Sequence, residues 1–102
     1  MKEYEVYVPL RQNDGKRIAR EKIDQLKKRL VKRFGGLTHF PQKNEGVWKI
    51  GRATFRDEIV LLRVLADEKP AVTNFFKKLK QELQRDLKQQ EILIIKRHVA
   101  VV

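Results

Sequence analysis

Two stretches of this sequence recur in apolar residues every three to four positions, and apolar, β-rich runs stand before, between and after them. In the first, Ala19, Ile23, Leu26, Leu30 and Phe34 make one stripe; in the second, Val72, Phe75, Phe76, Leu79, Leu83 and Leu87 make another. Such spacing puts one apolar face on each of two helices, over about residues 16–34 and 70–90. Before the first helix, Tyr4, Val6, Val8 and Leu10 alternate with more polar neighbours, the period-2 pattern of a half-buried strand. Between the helices lie a segment rich in turn chemistry and the run "FRDEIVLLRVLA" at 55–66; "EILIIKRHVAVV" closes the chain. Pro70 falls where a first helical turn tolerates proline. The order is strand, helix, strand or hairpin, strand, helix, strand. For 102 residues this predicts one α+β domain over 1–102, a ferredoxin-like split βαβ sandwich. Both helices then cover one face of an antiparallel sheet, and right-handed crossovers set the first and third strands at its centre.

The segment "RFGGLTHFPQKNEGVWKIGR" holds adjacent glycines, a histidine and the only tryptophan. Gly35 and Gly36 follow the first apolar stripe, where a helix needs positive φ to close its last turn. The lysine-serine/threonine ending of a phosphate loop is missing, and a helix precedes the glycines where a strand should. The reading is therefore a helix stop, then a hairpin or an irregular strand pair in which "LTHF" and "GVWKI" flank "PQKNE".

"IVLLRVL" and "ILII" are apolar at consecutive positions, so these strands offer hydrophobic side chains to both faces of the sheet. The helices cover only one. The other face is expected to meet a second copy of the chain, making a homo-oligomer, with Leu61 and Ile94 expected in the contact.

"FGGLT", "GVW", "RDEIVLLRVL" and "QQEILII" together resemble a family of small prokaryotic proteins that share a Phe-Gly-Gly-x-Thr segment and a Gly-x-Trp pair. The resemblance covers most of the chain and implies no activity and no site residue. In element order the chain is also similar to PII-like signalling proteins, CutA-type proteins and the small structural subunit of the CRISPR spacer-acquisition complex, which implies a ferredoxin-like oligomer.

Charge is the one global functional clue. The net charge is +11, and Lys16 to Arg33 hold nine basic residues against Glu21 and Asp24. Such a surface is the electrostatic footprint of a nucleic-acid or other polyanion binder. The expected contacts are Arg17, Arg20, Lys28, Arg29, Lys32 and Arg33, acting mainly on the backbone. Tyr7, His39, Phe40 and Trp48 are the candidate base stackers. A second reading is a PII-like regulator holding a small nucleotide with Lys43, Lys49, Arg52 or Arg56, and a third is a protein-interaction module using the same hairpin. The expected protein is non-enzymatic. Asp57, Glu58 and His39 are the only residues worth testing for catalysis, and adjacent Asp57 and Glu58 point to opposite faces of a strand. No cysteine is present, no metal or cofactor is expected, and no apolar run or signal-like start suggests a membrane or export, so the expected location is the cytoplasm.

Overall fold

A computed structural model describes residues 1–102. The elements are β1 (Lys2–Pro9), α1 (Arg20–Phe34), β2 (Thr38–Ile50), β3 (Ala53–Ala66), α2 (Pro70–Asp86) and β4 (Ile94–His98). The sheet is antiparallel throughout, in the order β2-β3-β1-β4, so β1 and β3 are central as the crossover rule requires. This is the expected α+β, ferredoxin-like arrangement.

Parity along the strands decides what meets the helices. Tyr4, Val6 and Val8 of β1 stand opposite Val64, Leu62 and Val60 of β3, and all six are buried in one cluster with Leu26 and Leu30 of α1 and Val72, Phe76, Leu79 and Leu83 of α2. Tyr4 stacks on Phe76 with ring centroids 3.9 Å apart, and Phe34 lies 5.3 Å beyond on the other side. Three aromatic rings from β1, α2 and α1 thus pin both helices to the sheet.

Three element boundaries differ from the sequence reading. Helix α1 begins at Arg20, not near Lys16, because residues 10–18 form a bridged turn: Ile18 donates its N–H to the Leu10 carbonyl and is itself buried. Arg17 therefore stands in that turn, outside the helix. Helix α2 stops at Asp86, and Ile92 is buried before β4 begins. The third difference is larger. "PQKNE" is not a hairpin turn but an irregularity within one long strand, where the β2–β3 register shifts between Phe40 and Asn44. Pro41 has no N–H to give a ladder, so inside a sheet it settles at such a bulge. The true turn is Gly51-Arg52, with Gly51 at φ +60°.

Gly35 closes α1 as expected, at φ +80°, its N–H bonded to the Val31 carbonyl at 2.7 Å. Gly35→Ala should lower unfolding free energy by about 1 kcal/mol in urea titration, through backbone strain alone, since no atom lies where the new Cβ would stand. No helix is long and apolar enough to cross a membrane.

Beyond Ile59, β3 loses contact with β1, and residues 44–58 continue as a two-stranded ribbon of β2 and β3 alone. Val47, Trp48 and Ile50 are exposed on it.

Candidate functional site

The face of the sheet turned away from the helices is built from the residues between the core positions: Glu3, Glu5 and Tyr7 of β1, Leu61, Arg63 and Leu65 of β3, Ile95 and Arg97 of β4. Ile94 is not among them. It stands opposite Val6 and packs on the core, which corrects its assignment to this face; Leu61 lies there as expected. Nor is the face a continuous apolar patch, because four charged residues occupy one end of it.

Those four make a square. Register sets Glu5 directly opposite Arg63 and Glu3 directly opposite Arg97. The ion pairs also run diagonally: Arg63 Nε is 2.7 Å from Glu3 Oε1, Arg63 Nη2 is 3.4 Å from Glu5 Oε2, and Arg97 Nη1 contacts both Glu3, at 3.3 Å, and Glu5. Arg63 also lies over the Phe40 ring, 4.8 Å from its centroid. Glu5 is only 3% exposed. The Arg97 guanidinium bonded to it, aided by Arg63, holds its carboxyl below the usual carboxylate range against the opposing effect of burial.

Beside this square opens a cleft of about 730 Å³. Its walls are the end of α1 and the start of β2 (Phe34, Gly35, Gly36, Leu37, Thr38), Val64 and Leu65 of β3, and residues 99–102. Glu3 and Arg63 bring charge to it. The volume suits a small organic molecule, and apolar walls with a few convergent polar groups are the usual make-up of such a site. The glycine pair shapes this cleft, but at the C-terminal end of α1, whose carbonyls carry roughly half a negative charge. It is not the helix end that binds phosphates, and Lys32 and Arg33 of the last turn already answer that partial charge.

The sequence-predicted residues lie elsewhere. Arg17, Arg20, Lys28, Arg29, Lys32 and Arg33 are all exposed, but two of them serve packing: Arg29 and Arg33 sit 5.2 and 5.5 Å from the Phe75 ring centroid, and Arg29 pairs with Glu82 at 2.5 Å. Of the alternative phosphate set, Lys43 and Arg56 line a polar cleft, yet with Glu45, Asp57 and Glu58 around them; Lys43 faces Glu58 at 3.9 Å and Arg56 faces Glu45 at 3.2 Å. Lys49 and Arg52 lie farther out, next to the turn, so the four cations do not gather and the acids beside two of them oppose a phosphate. Asp57 and Glu58 take opposite faces, opposite Gly46 and Glu45. Burial pushes the Asp57 carboxyl up; burial and nearby Lys27 push His39 down, and neither meets a catalytic partner. No group of three or more His, Asp or Glu is placed to hold a metal ion.

Sequence reasoning missed Glu3, Glu5, Arg63 and Arg97. The available signal was two acids and two arginines inside strands, each pair a partner for the other, but their meeting depends on register.

No protein-family model matches the chain, and no curated protein matches it in sequence. Solved structures do match. A phage SAM lyase in complex with S-methyl-5'-thioadenosine superimposes with a TM-score of 0.71 over 95% of this chain and 80% of that one, at 19% identity. A phage SAM lyase in the apo state gives 0.69 over 94% of this chain and 78% of that one, also at 19%. At that identity the likeness shows the fold. It also corrects the non-enzymatic reading of the chain as a polyanion binder acting through its helical face, for the structures matched over 95% and 94% of this chain are those of an enzyme.

Proposed function

We propose that the chain acts on a small adenosine-bearing sulfonium compound such as S-adenosylmethionine, in the cleft beside the charged square. The observation that carries this is the cleft's own chemistry: apolar walls including Phe34, with the Glu3 carboxylate and the Arg63 guanidinium among the lining groups. That combination suits a compact organic cation joined to a flat, largely apolar ring system. The likeness to the lyase structure over 95% of this chain supports the same class of ligand.

Turning S-adenosylmethionine into S-methyl-5'-thioadenosine breaks the bond between sulfur and the amino-acid arm. An oxygen of the arm's own carboxylate forms the new bond to the carbon that sulfur leaves, closing a lactone, as the bonding pair goes to sulfur and its positive charge is lost. A site that takes the cation out of water and holds the arm in a bent geometry favours this loss of charge. In this reading the Glu3–Arg63 ion pair opens to the arm, Arg63 taking its carboxylate and Glu3 its ammonium group, while Phe34 and Leu37 cover the ring system.

Incubating the purified protein with S-adenosylmethionine should produce S-methyl-5'-thioadenosine on a chromatographic trace, and Arg63→Gln should reduce the rate by at least about tenfold through loss of a charged hydrogen bond. Intact substrate after prolonged incubation, with no thermal shift on adding S-methyl-5'-thioadenosine, would overturn the proposal.

The same reading includes self-association through the open sheet face. Among the register-paired residues of that face, Glu3, Glu5 and Asp57 stand against Arg63 and Arg97, so the face is nearly neutral in a chain of net charge +11. Two copies repel least when they approach by this face, and Tyr7, Phe40, Leu61 and Ile95 supply apolar contact there. A single-chain mass in light scattering at physiological salt would rule this part out.

A further inference from the structure

On the other side of the sheet, α2 and the edge strand β4 enclose a pocket of about 220 Å³. Three lysines line it, Lys77 and Lys80 from α2 and Lys96 from β4. Only Lys80 has a carboxylate partner, Glu91 at 2.9 Å. Lys77 and Lys80 are three residues apart on one helix, a spacing at which like charges repel. The floor is the Tyr4–Phe76 stack, and Lys96 stands directly opposite Tyr4 in the β1–β4 register. Tyr4 is 3% exposed, and its hydroxyl has no hydrogen-bond partner within the chain. That hydroxyl is not sealed off, and a pocket that Tyr4 lines is where it can meet solvent or a ligand.

We infer that the pocket binds a phosphate monoester. Lys77 and Lys96, which have no carboxylate partner, meet the two negative charges of the phosphoryl group, with Lys80 beside them already paired to Glu91, and the Tyr4 and Thr73 hydroxyls, which can donate in directions the ammonium groups do not, complete its hydrogen bonds. The apolar floor of Phe76 and Ile94 receives the carbon side of the ester, so a bare inorganic anion leaves part of the pocket unfilled. The site is separate from the sulfonium cleft and does not rest on it. Strand β1 joins the two: Tyr4 faces the phosphate pocket, while Glu3 and Glu5, its immediate neighbours, face the charged square.

Isothermal titration of the intact chain with phenyl phosphate, in low-salt buffer free of phosphate, should show saturable one-site binding, tighter than that of inorganic phosphate or sulfate. Lys77→Gln combined with Lys96→Gln should weaken it by at least about tenfold, from the loss of two charged contacts. Tyr4→Phe keeps the ring stack, so the melting temperature should hold within a few degrees while affinity falls several-fold. Absence of binding at millimolar phenyl phosphate, or equal affinity in the wild type and the double lysine variant, would overturn the inference. A Tyr4→Phe variant that melts normally and binds as tightly as wild type would remove the hydroxyl from the site and overturn it in this form.

Discussion

Leu62→Ala should lower the unfolding free energy by about 3 to 4 kcal/mol, the largest single loss expected in this chain. Leu62 is completely buried, in the third strand and central in the sheet, with Val6 opposite on one side and His39 on the other. Its side chain points into the cluster that receives Leu30 from α1 and Leu79 from α2, both also fully buried. A cavity there is walled by both strand neighbours and both helices, so little can move to fill it. A domain of this size has about 5 to 15 kcal/mol in total, and a loss of this order corresponds to a fall in melting temperature of very roughly 15 to 25 °C. Urea titrations of the two proteins measure it directly, through a lower midpoint at unchanged slope. A loss under about 1 kcal/mol would mean that the core repacks freely around this position.

Glu5→Gln is the second large effect and reads out through pH. The carboxylate is buried on the open face and serves two guanidinium groups, so the variant leaves Glu3 alone to balance both arginines. A loss of about 2 to 3 kcal/mol at neutral pH is expected. That is below the 3 to 5 kcal/mol of a wholly buried broken pair, because the arginine side chains remain partly in water. The Glu5 carboxyl is held below its ordinary 4.5 in the folded chain, chiefly by Arg97. Its stabilising effect is therefore fully present above the ordinary carboxylate value and is lost as pH falls below 4.5 through the lower, folded value. Wild type should lose stability over that acidic interval and the variant should lose less, so their unfolding midpoints should approach each other in acid. Parallel curves down to pH 2 would show that Glu5 does not titrate as the ion pairs require.

The architecture was legible because it depends on local periodicities. Stripes at 19–34 and 72–87 need no knowledge of partners, and the strand order follows from handedness once the elements are placed. What failed locally was "PQKNE", since Pro41 and Asn44 suit a turn and a strand irregularity equally well; the choice was made by the length of β3, which offers β2 a partner on both sides of the bulge. The candidate site was illegible for a different reason. Glu3 and Glu5 lie about sixty residues from Arg63 and ninety from Arg97, and a shift of one residue in either ladder would send the acids to one face and the arginines to the other. Net charge misled because it records how many cations there are and not what they touch: Arg29 and Arg33 of the basic helix lie against Phe75, where their planar groups help to seal the seam between the helices.

The ribbon of β2 and β3 beyond Ile59 sets a gradient of local stability along the chain. Each of its strands has one neighbour, whereas β1 has one on either side. Its amide protons should exchange with solvent through small openings that leave the core intact, while those of β1 should wait for global unfolding. The Gly51-Arg52 tip is also where a protease should first nick the folded chain. For the same reason the ribbon can lengthen or shorten by paired residues without disturbing the core cluster, so changes in chain length among descendants of this sequence should collect at its tip.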